Sequence, residues 1–148
     1  MNDISIRNKH EQKFQDRLIA DIKALRGSAI HLEPIGHSGF PDLLVTFGDR
    51  YRLVELKSVE NAHKQKFHTL FEEGQLSWHQ KWYDDGNEPV ITMIEVRSTG
   101  ETIWFVAAGK ACLIYFDWTL AMVRECSDGC TSPRLLCHKL KGEIIDHS

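Results

Sequence analysis

Residues 39–57 read Gly39-Phe40-Pro41-Asp42-Leu43-Leu44-Val45-Thr46-Phe47-Gly48-Asp49-Arg50-Tyr51-Arg52-Leu53-Val54-Glu55-Leu56-Lys57, two apolar runs on either side of a Gly-Asp-Arg break. The runs Asp42–Phe47 and Tyr51–Lys57 predict the strands of a β-hairpin. Leu43, Val45 and Phe47 oppose Leu44 on the first strand, and Val54 and Leu56 oppose Leu53 on the second, so both faces are apolar. A sheet of that kind is covered on both sides, which predicts an α/β fold with a central sheet between helices.

Charge stands out against this background. With Phe47–Arg50 as the hairpin loop, Asp42 falls opposite Glu55, and the two-residue period of a strand puts Lys57 on the face of Glu55. Two carboxylates so close repel each other unless something positive lies between them. A divalent metal meets that need. Mg²⁺, with Mn²⁺ as its usual substitute, takes oxygen ligands and keeps several waters, so Asp42, Glu55 and the backbone carbonyl of Leu56 would suffice. Such an ion activates water and neutralises charge building on a phosphate, and Lys57 beside it would orient the water or hold a phosphate oxygen.

Upstream, Phe14, Leu18, Ile22 and Leu25 form a helical stripe from about Arg7 to Arg26, closed by Gly27. Glu11, three residues before Phe14, lies on its inward side and is the natural third carboxylate, as a ligand or an outer partner. Its alternative is a capping box with Asn8. Downstream, residues 58–74 read as a loop-like segment with a short helix. Ser77-x-x-Gln80 opens a helix through about Tyr83, and Gln80 either faces the site or caps Ser77. Pro89–Arg97 and Thr102–Ala108 read as strands about a Ser98–Glu101 turn. Residues 111–116 extend the sheet or not, and Asp117 caps a helix to Cys126. The tail beyond Ser127 carries little signal.

In the chain of 148 residues, 42% are hydrophobic and 26% charged, the composition of an ordinary globular protein and the length of one domain. Residues 7–108 would form the core of that domain and residues 109–148 a C-terminal helix and tail. The net charge of −3 means that any nucleic-acid contact must use local basic surface. Clusters exist at Lys9, His10, Lys13 and Arg17, at His63, Lys64, Lys66 and His68, and at His79 and Lys81; solvated faces are the plainer reading of each. The start of the chain lacks the apolar run of a signal peptide, and no stretch approaches the roughly 18 apolar residues of a membrane span, so a cytoplasmic protein without membrane contact is expected. Cys112, Cys126, Cys130 and Cys137 are then free thiols, and Cys126, Cys130, Cys137 and His138 make a poor zinc site because adjacent Cys137 and His138 would have to turn onto one ion.

The order Glu11, Gly39-Phe40-Pro41-Asp42, Glu55-Leu56-Lys57 and Leu76-Ser77-x-x-Gln80-x-Trp82 resembles the PD-(D/E)XK nuclease superfamily, and in particular its VRR-NUC branch of small phage and repair nucleases. The likeness runs from Glu11 to about Arg97. It implies a restriction-endonuclease-like core, a four-stranded mixed sheet with flanking helices, metal-dependent endonuclease cleavage of DNA, often branched or flapped, and frequent homodimers. It further implies Asp42 and Glu55 as metal ligands, Lys57 as catalytic lysine, Glu11 as the first-helix acid and Gln80 as a helix residue facing the site. His37 and Gly39, before the first strand, would meet a scissile phosphate and allow close backbone approach, or be a solvated side chain and a turn. Trp78 and Trp82 read as core or dimer contacts, with stacking on an unpaired base as the alternative. Two readings of other classes compete: a catalytically silent nucleic-acid-binding module of the same fold, and a protein-interaction factor using the acidic balance and the tail.

Overall fold

The computed structural model describes residues 2–32, 41–60, 64–72, 74–107, 119–126 and 132–146, the side chains of 2–8 and 124–126 excepted. His37 and Gly39 lie outside the described residues, as do Cys112, Asp117, Cys130 and the segment 111–116. The elements are α1 (Asn2–Ala24), β1 (Ser28–His31), β2 (Leu43–Phe47), β3 (Arg50–Glu60), a 3-10 turn (Phe67–Leu70), α2 (Gln75–Asp84), β4 (Ile91–Ser98), β5 (Glu101–Ala107), α3 (Leu120–Cys126) and α4 (Pro133–Asp146).

The sheet has five strands in the order β1-β2-β3-β4-β5. Pairing is antiparallel except between β3 and β4, so the sheet is mixed. The fold is α/β. A parallel neighbour cannot be reached by a tight turn, and the crossover from β3 to β4 carries the 3-10 turn and α2. Buried Arg52 on β3 pairs with Glu88 at 3.0 Å and ties the end of that crossover back to the sheet.

Strand alternation sorts the apolar side chains onto two faces. Leu43, Val45, Val54, Leu56, Ile91 and Met93 meet Phe14, Leu18 and Ile22 of α1 and Leu136, Leu140 and Ile144 of α4. On the other face Ile94, Val96, Ile103 and Phe105 meet Phe67 and Leu70 of the 3-10 turn and Leu120 and Val123 of α3, with Leu76 of α2 packed alongside. Each fully buried Leu or Ile stabilises by about 1.5–3 kcal/mol relative to exposure, so both faces must stay covered. The expected helices on both sides are present.

Several boundaries differ from the sequence reading, each for a physical reason. Helix α1 starts at Asn2, so Asn8 is an interior residue and no capping box with Glu11 can form. Strand β1 makes five strands instead of four; with most of its four residues exposed at the sheet edge, it carries no apolar alternation to announce it. Strand β3 runs on to Glu60 into the segment read as loop-like. Helix α2 starts at Gln75 with Gly74 as its N-cap, which leaves Ser77 inside the helix and not at its start. The cap of α3 is Thr119, whose Oγ1 accepts the Met122 N–H at 3.3 Å. The unpromising tail forms α4, capped by Ser132 Oγ on the Leu135 N–H at 3.2 Å with Pro133 at the first helical position.

Gly27 ends α1 where the chain enters β1. A Cβ there would lie 2.8 Å from the Thr46 carbonyl oxygen and closer still to the Phe47 ring. Backbone on one side and a buried ring on the other leave no room, so Gly27→Ala is expected to destabilise the protein by about 1–3 kcal/mol, read as a lower urea midpoint at unchanged slope.

Candidate active site

The hairpin register decides where the charges fall. Leu43 pairs with Val54 and Phe47 with Arg50, so Asp42, one residue before β2, stands opposite Glu55. The two-residue turn is Gly48-Asp49, with Gly48 at φ 64°, a conformation glycine adopts freely. Asp42 Oδ2 accepts the Leu56 N–H at 2.8 Å. A strand residue directs its N–H and its C=O to the same neighbour, so the Leu56 carbonyl also points past the start of β2. There it meets a cavity of about 300 Å³ lined by Glu11, Gln12, Gln15, His31, Asp42 and Leu56.

Glu55 and Lys57 lie on β3, the middle strand of the sheet, and are 1% and 7% exposed. An edge-strand ion pair in water is therefore not what they form. Instead Gln75, 8% exposed on the first turn of α2, joins them. Its Oε1 accepts Lys57 Nζ at 2.8 Å and the Glu72 N–H at 2.7 Å, and its Nε2 donates to Glu55 Oε2 at 3.2 Å. The Lys57 ammonium also sits 5.1 Å from the centre of the Phe71 ring.

Electrostatics follow from this packing. Burial pushes the Glu55 carboxyl well above the usual carboxylate range, Asp42 pushes it further by charge and by a hydrogen bond, Glu11 adds a smaller repulsion, and Lys57 opposes them. Burial likewise raises Glu11, countered chiefly by the Lys57 ammonium and the Ser58 N–H, with Asp42 acting in the raising sense. Glu11, Asp42, Glu55 and Lys57 thus feel one another, although they come from α1, the β2 entry and β3. Among the described residues no three His, Cys, Asp or Glu side chains already surround one point as a ligand cage. The donors offered to a cation are Asp42 and Glu55, the Leu56 carbonyl, and Glu11 across the cavity. These are hard oxygens, the set that suits Mg²⁺ or Mn²⁺, which need few protein ligands.

Gln80 is not in this group. It is exposed, and its Nε2 bonds Asp84 Oδ1 at 2.8 Å, one turn on along the helix. Gln75 takes the place given to Gln80 because α2 begins earlier than the Ser77 cap implied; the signal was the start of the apolar pattern at Leu76, just after Gly74. Gln75→Ala leaves Lys57 and the Glu72 N–H without their acceptor and is expected to destabilise by about 1–3 kcal/mol in chemical denaturation. Gln80→Ala should change stability by less than about 0.5 kcal/mol.

His79, grouped by sequence with the basic residues, is 3% exposed, and neither ring nitrogen has a hydrogen-bond partner. Burial, with Lys57 adding to it, lowers its pKa to about 4, so it is a neutral ring packed on Phe71 and no phosphate ligand. Trp78 and Trp82 stack on each other at 5.4 Å, and Trp82 donates to the Glu88 carbonyl at 3.0 Å. Cys137 is buried in the core while adjacent His138 is exposed, so the two point apart. Burial and nearby Asp21 push the Cys137 thiol up to about 12. No helix among the described residues is long and apolar enough to cross a membrane.

No family model matches the chain, and no curated protein matches it. Among solved structures, the Archaeoglobus fulgidus Hjc, a Holliday junction resolvase from an archaeal hyperthermophile, is similar at 13% identity and a TM-score of 0.40, over 76% of this chain and 98% of that one. That likeness is too distant to carry a function across.

Proposed function

We propose that this protein is a metal-dependent endonuclease that hydrolyses DNA phosphodiester bonds. The supporting observation is the Asp42–Glu55 pair, two carboxyl groups set opposite each other across the β2–β3 hairpin, with Glu55 and Lys57 buried side by side on β3 and bridged by Gln75. Holding such groups in a sheet that is otherwise apolar costs stability, and a module that only bound nucleic acid would gain nothing from it.

In this reading Asp42, Glu55 and the Leu56 carbonyl hold Mg²⁺, or Mn²⁺ in its place, and Glu11 closes the cavity from α1. When bound, the ion lowers the pKa of water and offsets charge on the phosphate. The chain's own residues do the rest. Asp42, fixed by the Leu56 N–H, orients the cavity wall. Lys57, directed by the Gln75 carbonyl and the Phe71 ring, holds a proton at Nζ and presents it beside the reacting phosphate. Gln75 keeps Glu55 and Lys57 in one geometry.

Branched or flapped DNA is the substrate that the PD-(D/E)XK and VRR-NUC resemblance adds, with a homodimer to address two strands. The test is incubation of the purified chain with linear, nicked, flapped and four-way DNA, with Mg²⁺, with Mn²⁺ and with EDTA. Metal-dependent cleavage of at least one branched form is expected; intact DNA under every condition would refute the reading.

A further inference from the structure

Helix α1 turns its buried stripe of Phe14, Leu18 and Ile22 to the sheet and leaves the opposite face to solvent. At 3.6 residues per turn, Lys9, Lys13, Arg17 and Lys23 fall within an arc of about 120° on that outer face. All four are exposed, and among the described residues no ion pair engages them. The acid on the same arc, Asp16, accepts a hydrogen bond from Gln12 Nε2 at 2.8 Å. The helix therefore separates its charges: Glu11 faces inward and the cations face outward.

The two ends of this face meet two features. At one end Glu11 and Gln12 line the cavity beside Asp42, with Lys9 and Lys13 within a turn of them. At the other, Arg26, Arg50 and Lys141 rim a cleft of about 410 Å³ walled by Phe47. From Glu11 to Arg26 the helix and its exit span about 22 Å at 1.5 Å per residue. One strand of duplex DNA places a phosphate about every 3.4 Å along its axis, so this length covers roughly six. In a chain of net charge −3, so continuous a cationic face is a local feature and not a consequence of overall composition.

We infer that the outer face of α1 is the docking path of a nucleic-acid phosphodiester backbone, running from the Asp42 cavity to the Arg26–Arg50–Lys141 cleft. The inference rests on the nuclease reading for the identity of that backbone as substrate. Cations strung along one face of a helix contact the phosphates of a strand and give affinity without reading bases.

The experiment measures binding of the full chain to labelled duplex and four-way DNA in EDTA, so that nothing is cut, across a range of salt concentrations. One variant carries Lys9→Gln, Lys13→Gln and Arg17→Gln; a charge-matched control carries Lys64→Gln, Lys81→Gln and Arg134→Gln on other elements, all exposed. The α1 variant is expected to bind at least about tenfold more weakly at low salt, with the slope of log affinity against log salt shallower by about 2–3, near 0.9 for each phosphate no longer neutralised. The control should match the unmodified protein. An α1 variant with unchanged affinity and slope overturns the path, as does an equal loss in both variants. If the unmodified protein cleaves DNA while the α1 variant binds normally, the path falls and the nuclease reading stands. If binding depends on α1 but no DNA is cut, the path stands and the nuclease reading falls.

Discussion

Lys57→Met is expected to lower DNA cleavage by about 10²- to 10⁴-fold while leaving a folded protein, the range seen when a positioned proton-transfer group is removed. Methionine keeps the length and apolar stem of lysine, and its sulfur can rest on the Phe71 ring as the ammonium does now. Gln75 Oε1 keeps the Glu72 N–H as a donor, so no buried acceptor is orphaned. What disappears is the positive charge that opposes burial and Asp42 at Glu55. Without it the Glu55 carboxyl should rise further, so residual activity should shift to higher pH. The check is a rate–pH profile of both proteins together with far-UV circular dichroism; a variant that cuts as fast as the unmodified chain removes Lys57 from the reaction.

Glu55→Gln should abolish cleavage and at the same time raise the thermal midpoint of the cation-free protein. The sign follows from linkage. A carboxyl whose folded pKa lies above its unfolded value keeps its proton longer in the folded state. Below the unfolded pKa it has no effect; as pH rises from there through the folded pKa, the folded state loses stability, and the loss is complete above it. Burial and Asp42 put Glu55 in this class, and burial puts Glu11 there too. Glutamine preserves the shape and the bond to Gln75 without the charge, so the gain over the unmodified chain should be small near pH 4 and largest above neutrality. Mg²⁺ should narrow the gap, because it binds the charged form. Thermal melts at pH 4, 6 and 8 with and without Mg²⁺ read this directly; a variant less stable at pH 8 would show that the Glu55 charge is a structural ion pair and not a waiting ligand.

Most of the core was legible because periodicity survives in tertiary structure. The α1 stripe, the β2–β3 hairpin and the β4–β5 hairpin each repeat their apolar residues over several positions, and the pairing of Asp42 with Glu55 follows from the turn alone. Elements without repetition were not legible. Strand β1 is four residues at an edge, and its side chains report solvent more than sheet. Helix α4 did offer Ser132-Pro133 and a Leu136, Leu140, Ile144 stripe, but the polar residues among them hid it. At the site, the hairpin members emerged from local pattern, whereas Gln75 did not. The start of α2 is marked by Leu76 after Gly74, but the role of Gln75 depends also on how the crossover lays that helix against β3, a long-range matter that no spacing within a helix encodes. His79 was misread for the same reason: composition groups it with cations, and burial makes it neutral.

The most direct measurement is the anomalous difference map of a crystal soaked in Mn²⁺. One strong peak is expected in direct contact with the carboxylates of Asp42 and Glu55 and with the Leu56 carbonyl. A fully soaked crystal with manganese elsewhere or nowhere would rule out this site as a metal centre.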